Sequence, residues 1–162
     1  MDDWRLYAKA IVKYDPKFYN EGVYTKDEWT AISNIGKFFD GKELTMASYR
    51  SMENKYVEAA TLFLSFFDSK NFHVRNHEVY SKTISQMEFD ESLLTVEDGS
   101  KLPVSKSEDY IRLVLREFIW GELHTDNCSI HFGYDYYMYF VTKKDFSEIY
   151  PQILNLGLFV HE

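Results

Sequence analysis

Ser129-Ile130-His131-Phe132-Gly133-Tyr134-Asp135-Tyr136-Tyr137-Met138-Tyr139-Phe140-Val141 is the stretch on which the fold turns. Ile130, Phe132, Tyr134, Tyr136, Met138 and Phe140 alternate with His131, Gly133, Asp135, Tyr137, Tyr139 and Val141. A period of two sustained this long predicts one long strand, since successive side chains of an extended chain point to opposite faces. The even-numbered face is apolar and is expected to be the core. The odd-numbered face carries Tyr137 and Tyr139 beside Asp135 and His131. Under a second layer of helices these would be core tyrosines; on an open face they form an exposed patch, and antiparallel sheets commonly leave one face wet. Gly133 allows a bulge or a close backbone approach.

Outward from this stretch, residues 142–154 carry Phe146, Ile149, Tyr150 and Ile153 at helical spacing, and 156–161 read as a final strand. A strand, helix, strand ending of this length predicts a last strand parallel to the long one. Upstream, Ser105-Lys106-Ser107-Glu108 offers a capping box for a helix bearing Ile111, Val114, Leu115, Phe118 and Ile119 and ending near Gly121. Residues 46–67 predict a long helix with Met52, Tyr56, Ala59, Ala60, Phe63, Leu64 and Phe67 on its apolar stripe. Thr25-Lys26-Asp27-Glu28 offers another capping box, followed by Trp29, Ile32, Ile35 and Phe39 and stopped by Asp40-Gly41. Together the two predict an αα-hairpin on the sheet. Residues 4–14 alternate like a strand with Ala10, Val12 and Tyr14 on the apolar side, ended by Asp15-Pro16. Between 72 and 98, short strands are expected at 72–74, at 78–80 and within 84–94, with a turn at 97–100.

The chain has 162 residues, 45% of them hydrophobic. A chain of this length buries about 70% of its unfolded surface, enough to fold without a metal or a disulfide. The expected fold is therefore a single α+β domain over residues 1–162, with a mainly antiparallel sheet and helices packed mostly on one face. With 7 glycines and 3 prolines, long regular elements and short loops are expected. One cysteine, Cys128, excludes an internal disulfide framework and a cysteine-based zinc site. Neither an N-terminal secretory pattern nor an apolar run of membrane-spanning length is present, so a cytoplasmic protein is expected.

The sequence holds no phosphate loop, dinucleotide fingerprint, zinc-protease helix or nucleophile elbow, and no cofactor is expected. His73 and His77 have the spacing of two ligands on a helix face, without a third. His124, Asp126, Cys128 and His131 crowd within eight residues and read as a metal site or as a cysteine with a histidine base. Catalytic partners are usually distant in sequence, so the expectation is that neither chemistry is present: no enzyme and no metal site. A small hydrolase or nucleotide-processing enzyme built on His124 to Asp135 is the alternative. A regulatory module with a pocket between sheet and helices is another.

Charge carries more information. Eighteen Lys and Arg against 26 Asp and Glu give a net charge of −8. Nucleic acid and anionic membranes are bound mainly through Lys and Arg, so neither is an expected partner. Residues 83–100 contain no Lys or Arg but hold Glu88, Asp90, Glu91, Glu97 and Asp98; residues 117–142 contain none but hold Glu117, Glu122, Asp126 and Asp135. If the two runs meet, they form a one-sign surface that speeds capture of a basic partner. The candidate partner-binding residues are Asp135, Tyr137, Tyr139, His131, Glu122, Asp126, Glu88, Asp90, Glu91, Glu97 and Asp98. Tyrosine suits such a surface because it supplies large contact area at low entropy cost.

Arg116-Glu117-Phe118-Ile119-Trp120-Gly121-Glu122-Leu123, followed by Ile130 to Tyr139, resembles the C-terminal part of small bacterial immunity proteins of contact-dependent growth inhibition and related polymorphic toxin systems. The resemblance implies a single-domain α+β protein that stays in the cytoplasm. It implies one-to-one binding of a cognate toxin's C-terminal domain, often a nuclease, with its active site or substrate surface occluded. No binding residue carries over, because interfaces differ between members. The composition is compatible on its own terms: a nuclease presents a basic groove to phosphates, and an acidic, tyrosine-rich inhibitor can fill it.

Overall fold

A computed structural model describes residues 7–80 and 91–161. In chain order these residues form β1 (Lys9–Val12), β2 (Tyr19–Asn20), β3 (Val23–Tyr24), β4 (Phe38–Phe39), β5 (Lys42–Glu43), α1 (Met46–Phe66), β6 (Asn71–Val79), β7 (Lys101–Pro103), α2 (Ser107–Leu115), β8 (Ile119–His124), β9 (Cys128–Phe132), β10 (Met138–Thr142), α3 (Tyr150–Asn155) and β11 (Phe159–His161). Seven strands make one sheet in the order β11-β1-β10-β9-β8-β6-β7, with every described pairing antiparallel. The fold is single-domain α+β.

The stretch 129–141 is not one strand but a hairpin. Phe132 faces Met138 directly across β9 and β10, and the chain turns between them. Tyr137 N–H donates to the Tyr134 carbonyl at 3.3 Å, and Gly133 N–H to the Tyr137 carbonyl at 2.9 Å. Asp135 and Tyr136 both have positive φ, 58° and 67°, the signature of a type I′ turn that matches the twist of its strands. Since Phe132 and Met138 are opposite each other, the even positions of both arms stay on one face. The turn therefore leaves the alternation intact. Tyr134 leaves the even-numbered core face and is 89% exposed at the tip.

α1 and α2 pack on the even-numbered face. Phe63 of α1 stacks on Phe140 at 4.1 Å between ring centres, and Phe72, Val74, Leu123, Ile130 and Met138 complete the sheet's share of the core. β1 is buried from both sides. Ile11 enters the helical core, while Ala10, Val12 and Tyr14 pack with Tyr19, Tyr24 and Tyr137 on the other face. The side of β1 that the sequence gives to solvent is thus the core side.

Residues 25–39 do not form the expected helix, so there is no αα-hairpin ahead of α1. The residues of the capping box have other partners: Thr25 Oγ1 donates to the Phe18 carbonyl at 2.5 Å, and Glu28 pairs with buried Lys13 at 3.0 Å. The Asn34 side chain accepts from the Thr30 and Ala31 amides at 2.9 and 3.2 Å, closing a local turn that competes with a helix. Trp29 still reaches the core, held by the Lys13 ammonium, which donates to its carbonyl at 2.5 Å.

α1 spans the predicted range from its Thr45 cap. The expected strands at 72–74 and 78–80 are one strand, β6, with a bulge: Arg75 faces Glu122 and Glu78 faces Trp120, so Asn76 and His77 oppose one residue. The strand expected within 84–94 falls largely outside the described residues, and 91–94 is a 3-10 turn. α2 stops at Leu115 rather than running to Gly121, and 119–124 become a central strand. β11 pairs with β1, not with the hairpin. Both β10 and β11 are antiparallel to β1, so they run parallel to each other with β1 between them.

Apart from α1 and β6, the described elements are short and joined by tight turns. Besides five glycines, the left-handed positions are taken by Glu21, Asp40, Asp68, Asn76, Glu117, Asp135 and Tyr136. No helix among the described residues is long and apolar enough to cross a membrane.

Candidate functional site

The face of the sheet opposite the helices is built by alternation. On β8, Ile119, Gly121 and Leu123 point to the core, which turns Trp120, Glu122 and His124 outward. On β9, Cys128, Ile130 and Phe132 are inward, leaving Ser129 and His131 on the outer face. On β10, Met138 and Phe140 are inward, and Tyr139 stands opposite His131. At the β1 end this outer face is capped by tyrosines, with the Tyr19 and Tyr137 hydroxyls bonded to each other and Tyr137 stacked on Tyr14 at 5.4 Å.

Glu122 is the hub of the uncapped part. Its Oε2 lies 2.8 Å from His124 Nε2, its Oε1 lies 3.4 Å from His131 Nδ1, and Oε1 also accepts from the Asn76 amide at 3.2 Å. Asn76 reaches it because the β6 bulge gives that residue a φ of 56°. His131 Nε2 is 2.8 Å from Ser129 Oγ. Partial burial works against the Glu122 carboxylate, but the His124 hydrogen bond, the electrostatic attraction of His131 when protonated and the Asn76 amide outweigh it and hold its pKa below the usual value. Burial holds the His131 imidazole below the ordinary histidine value despite the attraction of Glu122.

The expected partner residues do not form one group. Glu122, His131 and Tyr139 are together on the outer face. Tyr139 is 36% exposed, and its ring packs over Gly133, where an added Cβ would lie 2.9 Å from ring carbon Cε2. Gly133 therefore marks a close approach, one of the two roles expected of it. Asp135 and Tyr137 are not strand residues beside Tyr139 but belong to the turn. The Asp135 carbonyl accepts from the Tyr14 hydroxyl at 2.5 Å, and Tyr137 is half buried in the tyrosine cap, its ring 6.1 Å from that of Tyr139. Asp126 is exposed in the β8–β9 loop. Glu91, Glu97 and Asp98 are exposed, while Glu88 and Asp90 lie outside the described residues.

Where they are described, the acidic runs approach β6 from either side. Asp98 Oδ1 accepts from the His77 amide at 3.4 Å, one residue from the Asn76 that binds Glu122. Arg75, opposite Glu122 on β6, sits at that border, so the surface there is not of one sign.

One sequence cluster separates, and the other loses its cysteine. His77 turns to the Tyr110 hydroxyl at 2.9 Å and the Leu94 carbonyl at 3.3 Å, whereas His73 stands opposite His124. Cys128 is on the core face with Thr125 Oγ1 3.2 Å from its sulfur, burial pushes its thiol pKa up, and His131 is on the other side of the sheet. A thiolate and a histidine base are not paired.

Extending the expected helix to near Gly121 hides His124 and Asn76 as partners of Glu122 and Ser129 as the partner of His131. The alternation Ile119-Trp120-Gly121-Glu122-Leu123-His124 was the available signal. A cavity of about 460 Å³ lies elsewhere, at the hairpin tip among Val114, Leu115, Ile119, Trp120, Tyr134 and Tyr136. Comparison with protein-family models, curated proteins and solved structures finds no match.

Proposed function

We propose that this chain is a cytoplasmic immunity protein that binds the C-terminal domain of one cognate toxin, one-to-one, and covers its active site or substrate surface. One observation carries the reading. The three adjacent strands β8, β9 and β10, at the centre of the sheet, all fall within residues 117–142, which contain no Lys or Arg. Their outer face offers Glu122, His131 and Tyr139, and the turn between β9 and β10 offers Tyr134 and Asp135. Carboxylates among partly exposed tyrosines suit a basic surface such as a nuclease groove: the charges steer the encounter, and the rings supply desolvated area. Occlusion of this kind uses no catalytic group and no cofactor.

The test is co-expression with a toxin domain encoded beside the gene. Restored growth and co-purification of the pair in equal amounts are expected. Continued killing, with no complex recovered, would contradict the reading.

A second reading has an observation of its own. Ser129 Oγ, His131 and Glu122 stand in the order hydroxyl, imidazole, carboxylate, with the 2.8 and 3.4 Å separations above, as in a small hydrolase. Against it, Ser129 lies mid-sheet between His124 and Val141, where ladder bonds occupy the amides an oxyanion would need. Hydrolysis of a p-nitrophenyl ester that Ser129→Ala abolishes would favour this reading.

A further inference from the structure

We infer that Glu122, His124 and His131 form a binding site for one divalent first-row transition metal ion, of which Zn²⁺ is the natural probe. The inference stands on the cluster's geometry and does not depend on toxin binding. One donor atom from each of the three lies within 4.8 Å of the other two, and among the described residues this is the group of His, Cys, Asp and Glu so placed. A tetrahedral ion held about 2.0–2.1 Å from each donor separates its donors by roughly 3.4 Å. The His131 Nδ1 to Glu122 Oε1 distance is 3.4 Å and the His124 Nε2 to Glu122 Oε2 distance is 2.8 Å, so small side-chain rotations suffice. The donor set, two imidazoles and a carboxylate, suits zinc, iron, nickel or copper rather than calcium or magnesium.

The surroundings are those a metal site needs. Ligating histidines are usually fixed by a bond from their other ring nitrogen, and ligating carboxylates are bonded in turn. Here Ser129 Oγ holds His131 Nε2 at 2.8 Å, leaving Nδ1 toward the cluster, and the Asn76 amide donates to Glu122 at 3.2 Å. The sheet supplies the rigidity. Glu122 and His124 are two residues apart on one strand and so share a face, and His131 is on the neighbouring strand of the same ladder. Entry is open: the side chains of His124, His131 and Glu122 are 36%, 29% and 18% exposed. Three protein ligands leave a fourth position for water.

Local crowding in the sequence suggested His124, Asp126, Cys128 and His131. Strand alternation keeps the two histidines, sends Cys128 to the core and brings in Glu122.

The test is calorimetric titration of chelator-treated protein with zinc chloride, repeated with cobalt chloride to read the visible spectrum. One ion per chain is expected, with the intense visible bands of four-coordinate cobalt. His131→Ala and Glu122→Gln are expected to abolish the one-per-chain isotherm. Ser129→Ala is expected to keep the stoichiometry and weaken affinity about 10-fold or more, as loss of a group behind a ligand does. His161→Ala, a histidine bonded to the Tyr14 carbonyl on β11, is expected to bind as the parent does. Near-ultraviolet circular dichroism checks that each variant is folded. If His131→Ala does not fold, Ser129→Ala against His161→Ala decides. No saturable site in the parent, or a site that His131→Ala or Ser129→Ala leaves unchanged, would mean that the cluster is only a set of hydrogen-bonded ion pairs.

Discussion

Glu53 is a charged residue in the core, 0% exposed. Its side chain is fully buried in the middle of α1, yet it stays charged because Arg112 and Arg116 converge on it with three contacts of 2.8 Å. Burial alone would raise its pKa; the bonds from Arg116 and Arg112 outweigh it and hold the value below the normal carboxylate range. Removing one partner of a buried ion pair strands the other, and Glu53→Ala is expected to lose about 3–5 kcal/mol in urea unfolding. The sign with pH follows from the direction of the shift. A carboxylate with a depressed folded value contributes fully above its unfolded value near ~4.3, and loses that contribution as pH falls through the folded value. The stability gap between parent and Glu53→Gln should therefore shrink below about pH 4, and a gap constant from pH 7 to 3 would rule out the pairing. None of this is legible along the chain. The ion pair links residues about 60 apart, and Arg112 and Arg116 read as ordinary surface charges of a helix.

At the scale of elements, the sequence is readable wherever one period dominates and opaque wherever a turn preserves it. α1 is legible because its apolar stripe keeps one helical period along its length. The hairpin was not, because Phe132 and Met138 are in register and Asp135-Tyr136 lacks the glycine that usually marks a type I′ turn. The end of α2 was missed for the same reason. Glu117 takes the glycine position of a Schellman cap at φ 63°, with Phe118 N–H donating to the Leu113 carbonyl and Glu117 N–H to Val114, both at 3.0 Å. Here the mechanism gives a prediction opposite to most substitutions. Glu117→Gly should raise stability by about 1 kcal/mol, since it removes a left-handed backbone penalty of ~1–2 kcal/mol and an anion at a helix C-terminus, against the entropy of glycine. Thermal unfolding checks it. An unchanged or lowered midpoint would mean that the Glu117 side chain makes a compensating contact.

For the whole molecule, the α+β class and the antiparallel sheet followed from the alternating and helical periods, while strand order did not. Which strands are neighbours depends on long-range pairing that no local pattern records; β1, near the start of the chain, lies between β10 and β11 near its end. The same holds for the candidate site. Glu122, His131 and Tyr139 could be named from composition, but their meeting on one face needed β8 to be a strand. Charge is a property of the whole chain, and the excess of −8 should act on encounter rather than on grip. Long-range attraction is screened beyond ~8 Å at physiological ionic strength, whereas desolvated contacts are not. Association with a basic toxin domain should therefore slow steeply with salt while dissociation changes little, as stopped-flow mixing can read. The most direct test is calorimetric titration of the purified toxin domain with the parent and with Tyr139→Ala, whose ring lies on the outer face away from the helical core. The account predicts one-to-one binding at nanomolar affinity or tighter, weakened by about 2 kcal/mol, roughly 30-fold, in Tyr139→Ala. No binding by the parent, or equal affinity for both proteins, would contradict it.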